Sequence, residues 1–593
     1  MRDTVITRFQ SKADAHGDAP LWYDFQEGAW RPTSWTQARV IVEEIAAGLM
    51  AIDVAKGDRV GFLGVNSPDW VATDYGILHA GAVGVPLYNT LAPDQLSYVL
   101  GHADATVLVV DSPEQLDKAL ASDISGVAKI VAHHLGDADR GRVIGTAALR
   151  KMGREFVARN TGALRQRMES VARDDLFSII YTSGTTGPPK GTMLTHDNIL
   201  WTAGAAFARL GMSETETMIS YLPLSHVFER LTTTITPLTG SDKVEFYFVP
   251  EPTMLPDALK HVRPTLFIGV PRVWEKFEAR IRAGVGEESP LRQKLINFAM
   301  EGAVAAIAAR DGAGSAGVKQ RLGAVLASKV VGKKVLGELG LDRCRIAISG
   351  AAPLAPDVQR FFQGLGLPLH QGWGLTESTA AGTVQAPGQL HVGSVGPALD
   401  GTEIELADDG EILMKGPNVF RGYYNEPENT AEMLKDGWLH TGDIGEILAD
   451  GSLKIVDRKK DIIITAGGKN VAPQEIESRI KADGLVAEAI VIGDHRPYLA
   501  ALISLDLDEA KTWLHQAGDE VTADADVYRH PKVLRRIEET IDGVNARFSK
   551  AESVRRWQVV EGGFPADAIT PTLKLKRRVI NDKLGAEIDS LYS

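Results

Sequence analysis

Cysteine is nearly absent: Cys344 is the single one among 593 residues. That excludes an intrachain disulfide and a cysteine-based zinc cluster, and it fits a reducing cytoplasm. No feature of the sequence activates this thiol, so a buried filler is expected. Long apolar runs are missing too. No uninterrupted stretch approaches the ~20 residues that span a bilayer, and Met1–Arg8 holds no apolar core of a signal peptide. The segment Phe298–Ala309 is the most apolar, but Glu301 interrupts it and Arg310 follows. It predicts a packed or interfacial helix and leaves peripheral contact with a membrane open. A basic excess is lacking as well. Lys and Arg number 64 against 77 Asp and Glu, a formal net charge of −13. Such a balance argues against a nucleic-acid partner. An anionic ligand must then be met by local charge.

What is present is a loop of unusual composition, Tyr181-Thr182-Ser183-Gly184-Thr185-Thr186-Gly187-Pro188-Pro189-Lys190-Gly191. Glycines free backbone N–H groups to close around phosphate oxygens, and a lysine adds a mobile positive charge. The apolar run Leu176–Tyr181 before it reads as a strand, which hangs the loop off a sheet edge where α/β proteins hold ligands. The implied ligand is a nucleoside triphosphate, best ATP. A P-loop of the NTPase type does not fit. Gly191, not Ser or Thr, follows Lys190, and Pro188-Pro189 keep the chain from running into a helix. A mobile flap is expected.

At about 150 residues per domain the length calls for several domains or subdomains. The first third alternates: helix over Thr36–Leu49, strand Arg59–Gly64, helix Trp70–Gly81, strand Val83–Leu87, helix Gln95–Ala103, strand Thr106–Asp111. A second round brings strand Thr265–Val270, helix Arg272–Arg282, a long helical stretch from Pro290 to Gly340 with a loop near Asp311–Gly317, and strand Arg345–Gly350. This alternation predicts an α/β fold of mostly parallel, helix-flanked sheets. From Gly401 short strands alternate with Asp-Gly turns at Asp409-Gly410, Asp436-Gly437 and Asp450-Gly451. These are hairpin signals and predict a small β subdomain over about 395–457. The charged run Asp457-Arg458-Lys459-Lys460-Asp461 follows. We place the boundaries at 1–457 for a large N-terminal domain, 458–461 for a hinge, and 462–593 for a smaller mobile α+β domain.

Several short motifs occur in one order along the chain. They are the loop Thr182–Gly191, Gly350-Ala351-Ala352-Pro353, Gln371-Gly372-Trp373-Gly374-Leu375-Thr376-Glu377, Thr441-Gly442-Asp443, Arg458 with Lys460, Gly467-Gly468-Lys469-Asn470, and Pro571-Thr572-Leu573-Lys574. Together they resemble the signature of the adenylate-forming (AMP-binding) superfamily, which includes acyl-CoA synthetases, aryl-CoA ligases, luciferases and peptide-synthetase adenylation domains. The resemblance implies that Thr182, Ser183, Gly184, Thr185, Thr186, Gly187 and Lys190 hold the phosphates of ATP. It puts Gly350, Ala351 and Ala352 beside the adenine, with Gln371, Gly372, Trp373 and Gly374 as the next wall of the ATP site. Thr376 would touch the α-phosphate and Glu377 would hold Mg2+, since hard cations prefer carboxylate oxygen. Asp443 and Arg458 would bind the ribose. His226, in Pro223-Leu224-Ser225-His226-Val227, borders the acyl pocket with Trp373 and Gly374, and no metal partners accompany it. Lys460 is the implied hinge, Gly467 and Gly468 line the path of CoA, and Lys574 reaches the active site in the first half-reaction.

Within the superfamily the chain is most similar to long-chain fatty acyl-CoA synthetases. Pro223–Val227, Arg272-Val273-Trp274-Glu275-Lys276, the helical insert before Gly340 and Pro571–Arg577 carry that likeness. The implied substrates are a fatty acid, ATP and CoA. A carboxylate would first be joined to AMP with loss of pyrophosphate, and the acyl group would then pass to the CoA thiol after the tail swings about Lys460. Alternatives are a fatty acyl-AMP ligase serving a carrier protein, an aryl-acid ligase, or a nucleotide-binding protein without catalysis. The intact set Lys190, Glu377, Asp443 and Lys574 speaks against the last. A cytoplasmic protein is expected, with peripheral membrane contact and a homodimer left open.

Overall fold

The computed structural model describes residues 3–182, 188–212, 215–239, 243–311, 316–466, 469–569 and 575–593. A nine-stranded sheet dominates the first half. Its middle strands are Val83–Leu87, Arg59–Leu63, Ala105–Val110, Lys129–Ala132 and Val143–Gly145, all parallel to one another, and Asp139–Arg140 pairs antiparallel at the far edge. They are near-continuous apolar runs because both sheet faces are covered. Leu176–Thr182 joins beside Val83–Leu87, Lys190–Thr195 folds back antiparallel on it, and Gly422–Tyr423 closes that edge.

The helices stand where periodicity places them, but several start earlier. Pro68–His79 begins two residues before Trp70, because Ser67 accepts the Trp70 N–H at 3.1 Å and Pro68 takes the first turn. Pro93–His102 likewise opens on a proline. A proline there loses no helical hydrogen bond, and its fixed φ suits the first turn. Helix Trp35–Ala51 carries a reciprocal Ser34/Gln37 cap. It packs on Thr146–Arg159 through Gly153, where a Cβ would stand 2.2 Å from the Glu44 carbonyl oxygen.

Two four-stranded sheets continue one another. One runs Glu216–Ser220, Val244–Phe248, Pro20–Gln26, Ala29–Ser34, the other Leu266–Gly269, Ile346–Ser349, Leu369–Trp373, Thr383–Val384. Thr265 N–H donates to Thr217 O at 3.0 Å and Thr217 N–H to Thr265 Oγ1 at 2.9 Å where they meet. Cys344 is buried here, and burial pushes its thiol up to about 12, so it stays protonated and inert.

All three Asp-Gly hairpins form. Glu403–Leu406 pairs with Glu411–Lys415, Leu434–Lys435 with Trp438–Ile447, and Trp438–Ile447 with Leu453–Arg458, each antiparallel. Beyond the charged run, Val486–Ile492, Leu499–Leu505 and Val554–Val559 form a three-stranded sheet. Helices Pro473–Lys481 and Pro531–Asn545 pack on it around a hydrophobic core of its own. Among the described residues no helix is long and apolar enough to cross a membrane.

Candidate active site

Lys190 sits on a strand, not on the flap. It pairs with Thr182 across the hairpin, and Gly191, Thr192 and Met193 face Tyr181, Ile180 and Ile179. The hairpin thus pins both described ends of the Thr182–Gly191 loop. Ser183, Gly184, Thr185, Thr186 and Gly187 lie outside the described residues. The Lys190 ammonium donates to Asn429 Oδ1 at 2.6 Å and stands 5.2 Å from the centre of the Tyr423 ring.

Tyr423 links that lysine to the next motif. Its hydroxyl donates to Glu377 Oε1 at 2.6 Å, the length of a charge-assisted bond. Burial first, and the Glu377 carboxylate next, push the phenol far above its usual range, so it stays a donor. Glu377 lies in the single turn Thr376–Ser378, and its carbonyl accepts the Phe420 N–H at 2.8 Å. Its second carboxylate oxygen carries no hydrogen bond from the described residues. No cluster of three or more His, Cys, Asp or Glu fit to hold a metal exists among them. A single carboxylate held by Tyr423, with its second oxygen unbonded among the described residues, suits a Mg2+ ion shared with substrate phosphates, the usual way this ion is held. Thr376 shares the Glu377 turn.

The Thr441-Gly442-Asp443 motif is built on a hairpin. Asp443 and Arg458 face each other in register on adjacent strands, and Arg458 Nε lies 2.9 Å from Asp443 Oδ1. Trp373 Nε1 donates to Asp443 Oδ2 at 2.8 Å. Gly442 has φ +69, and Thr441 Oγ1 accepts the Asp443 N–H at 3.2 Å, which fixes the turn that presents the carboxylate. Lys460 belongs to the same field. Partial burial lowers its ammonium pKa first, then Arg458, while Asp461 and Asp443 oppose and Lys190 adds to the lowering. Lys190, the Asp443–Arg458 pair and Lys460 therefore share one electrostatic neighbourhood.

The segments around Gly350 and His226 also meet. A Cβ on Gly350 would stand 3.1 Å from Phe228 Cζ, and Phe228 N–H donates to His226 Nδ1 at 3.2 Å. His226 thus caps the short helix Val227–Arg230. That helix is anchored by Arg230, whose guanidinium donates to both oxygens of the buried Asp74 at 2.9 and 2.5 Å and covers the Phe177 ring at 4.1 Å. Ala351, Thr379 and Ala380 hold positive φ of 69°, 54° and 76°. Left-handed backbone at non-glycine residues, above all at β-branched Thr379, is strain that clusters around functional loops. Gly374 admits no side chain, since a Cβ would lie 2.4 Å from the Ala380 carbonyl oxygen. Gln371 turns inward instead. Its amide donates to Gln359 Oε1 at 2.9 Å and its N–H to Gln385 Oε1 at 2.8 Å, a buried amide cluster behind the motif.

The tail docks on helices Pro271–Glu287 and Pro356–Gly364. Arg272 Nη2 reaches Asp506 at 2.9 Å, and Arg272 Nη1 donates to the Val486 carbonyl at 2.9 Å. Asp357, at the start of helix Pro356–Gly364, pairs with Arg547 and with Arg479 at 3.5 Å. Gly467 and Gly468 lie outside the described residues, as does Lys574. The hairpin Ile463–Ile464 with Asn470–Val471 brackets the two glycines. Tyr423 and Asn429 were not singled out in the sequence. No local pattern marks them: the role of Tyr423 depends on Gly422–Tyr423 pairing with the distant Thr192–Met193, and Asn429 sits in the separate helix Pro427–Met433.

A family model described as AMP-binding enzyme matches residues 9–424, and one described as AMP-binding enzyme C-terminal domain matches 460–593. The chain belongs to the AMP-binding enzyme family. Among family members, the long-chain-fatty-acid–CoA ligase FadD15 of Mycobacterium bovis is 32% identical over 581 residues, covering 97% of this chain and 95% of that protein. The long-chain-fatty-acid–CoA ligase ACSBG2 of Mus musculus is 32% identical over 629 residues, 99% of this chain and 93% of that one. Among solved structures, the adenylation domain of the carboxylate reductase from Mycobacterium chelonae superposes with a TM-score of 0.73 at 22% identity, covering 100% of this chain and 91% of that one. A fatty acyl CoA synthetase of Mycobacterium tuberculosis gives 0.59 at 23%, covering 98% and 99%. At such identities the structural likeness bears on the fold: a large N-terminal α/β part and a small C-terminal one.

Proposed function

We propose that this AMP-binding enzyme is an ATP-dependent long-chain fatty acid–CoA ligase. The observation that carries the reading is the convergence of Lys190, the Tyr423–Glu377 pair and the Trp373–Asp443–Arg458 cluster in one neighbourhood. The near-full-length identity to ligases that bear that name supports the choice of substrate.

A free carboxylate repels a thiolate and has no good leaving group. In the first step its oxygen attacks the α-phosphorus of ATP, and the bond from that phosphorus to the bridging oxygen breaks to release pyrophosphate. Positioning and charge neutralisation do most of such work. Lys190 and the hydroxyls of the loop receive the departing phosphates, and Asp443 orients the nucleoside through its ribose hydroxyls. Mg2+ bound at Glu377 would supply further neutralisation of those phosphates, with Tyr423 holding the carboxylate in place. Lys574, by the family resemblance, bridges carboxylate and α-phosphate. In the second step the CoA sulfur, from a thiol of ordinary pKa ~8.5, attacks the acyl carbon and the carbon–oxygen bond to AMP breaks. Between the steps the 462–593 domain turns about 458–461, withdrawing Lys574 and bringing Gly467-Gly468 to the site. A fatty acid also dissolves in bilayers, so contact with a membrane surface belongs to the same reading.

ATP–pyrophosphate exchange across fatty acids of graded length, followed by CoA as sole acceptor, tests the proposal. Exchange that rises with chain length and acyl-CoA formation support it. Exchange without acyl-CoA makes the protein an acyl-AMP ligase, and exchange with aromatic acids alone makes it an aryl-acid ligase. No exchange with any acid, with ATP still bound, makes it a nucleotide-binding protein without catalysis.

A further inference from the structure

Large apolar side chains that stay exposed concentrate in one helical hairpin. On helix Pro290–Arg310 they are Leu291, Leu295 and Phe298, and on helix Val318–Leu326 they are Val318, Leu322 and Val325, with Leu291 80% and Val318 85% exposed. Within each helix they recur at steps of four and three, so each set forms a row along one face. Small residues make the contact between the two helices, while Ile296, Met300 and Leu326 pack toward the core. Ala299, Gly302, Ala303 and Gly323 are buried, and a Cβ on Gly302 would stand 2.8 Å from Gly323 Cα. Gly323 also lies against the Phe298 carbonyl, which brings the two rows alongside each other. Below, a Cβ on Gly364 would stand 3.1 Å from Ala303 Cβ. The hairpin thus seats on helix Pro356–Gly364 through Ala303, Met300 and Ile307, while the two rows of large side chains on its other face stay exposed.

Charge decides what meets this face. Residues 290–334 carry eight Lys and Arg against two acidic residues, in a chain whose net charge is −13. Arg292 and Lys334 pair with Glu288. Lys294, Lys319, Arg321, Lys329 and Lys333 are exposed and form no ion pair among the described residues. We propose that this hairpin docks the protein on an anionic lipid bilayer, the two apolar rows entering the headgroup boundary while the lysines and arginines meet lipid phosphates. A second copy would bring the same positive excess to the same face and be repelled. The purpose, drawing a fatty acid from the bilayer it dissolves in, rests on the ligase reading, but the docking does not.

Cosedimentation with phosphatidylcholine vesicles containing about one-third phosphatidylglycerol tests this. We expect binding to these vesicles and at least about tenfold weaker binding to pure phosphatidylcholine. Leu295→Ser, Phe298→Ser, Leu322→Ser and Val325→Ser combined should weaken binding at least about tenfold. Lys294→Glu with Lys329→Glu should weaken it and flatten its salt dependence. Leu120→Ser, at an exposed leucine elsewhere, should change nothing. CoA ligation of oleate supplied on albumin without vesicles should match wild type in all variants, and its absence in wild type beside intact vesicle binding would remove the ligase reading alone. Wild type left in the supernatant, or serine variants that bind as well, would overturn the docking. So would a wild-type dimer that the serine variants split, with no vesicle binding, since it would make a second copy the occupant.

Discussion

Tyr423→Phe isolates one hydrogen bond. The lost hydroxyl donates to Glu377 Oε1 at 2.6 Å, and hydrogen bonds to charged groups contribute about 1.5–3 kcal/mol. If the full amount served the transition state, kcat/KM for ATP would fall about 10- to 150-fold. The Phe420 N–H bond to the Glu377 carbonyl, at 2.8 Å, survives and still fixes the turn, so the lower end of that range is expected. The ring keeps its contacts, 5.0 Å from the Phe420 ring and 5.2 Å from the Lys190 ammonium. Stability should therefore move by less than about 1 kcal/mol. ATP–pyrophosphate exchange measured at limiting and saturating Mg2+, beside a thermal melt, reads both quantities. The loss should be largest at limiting Mg2+. A change under about twofold at every Mg2+ concentration would refute the placement of Glu377 beside the metal and phosphates.

Lys574→Ala should cripple adenylate formation yet spare thioester formation from supplied acyl-adenylate, and equal loss of both half-reactions would count against the swing. Asp357→Ala removes the pairing with Arg479 and Arg547 that ties the tail to helix Pro356–Gly364. Partly exposed pairs contribute about 0–1 kcal/mol each, so the melt should barely move while the ratio of the two half-reaction rates shifts at least about threefold; an unchanged ratio would free the docking from any part in catalysis. Arg230→Met leaves buried Asp74 uncompensated and should cost about 3–5 kcal/mol in urea unfolding. Adding Asp74→Asn should recover most of that loss, and failure to recover it would mean the pair is not the cause.

Local patterns were legible where a short stretch decides its own shape. The three Asp-Gly turns announce hairpins because that dipeptide supplies the backbone a tight turn needs, and all three form. Apolar runs such as Ala105–Val110 mark strands covered on both faces. Helix starts shifted to Pro68 and Pro93, a signal present in the sequence but outweighed by the apolar period. Hairpin Pro20–Gln26 with Ala29–Ser34 was not legible, because Trp22-Tyr23 alternates poorly and its parallel partner, Val244–Phe248, lies far along the chain. In the site, Asp443 and Arg458 could be paired from their motif, but their direct facing depends on hairpin register. Trp373 as the donor to Asp443, and Tyr423 as the donor to Glu377, depend on long-range packing that no local pattern encodes.

The central claim is that a carboxylate oxygen is joined to the α-phosphorus of ATP and leaves with AMP. A long-chain acid labelled with 18O in both carboxylate oxygens, turned over with ATP and CoA, reads this by mass spectrometry of the products. One labelled oxygen in AMP and the other in the acyl-CoA is the predicted result. Unlabelled AMP, or label found in inorganic phosphate with ADP as the nucleotide product, would contradict it.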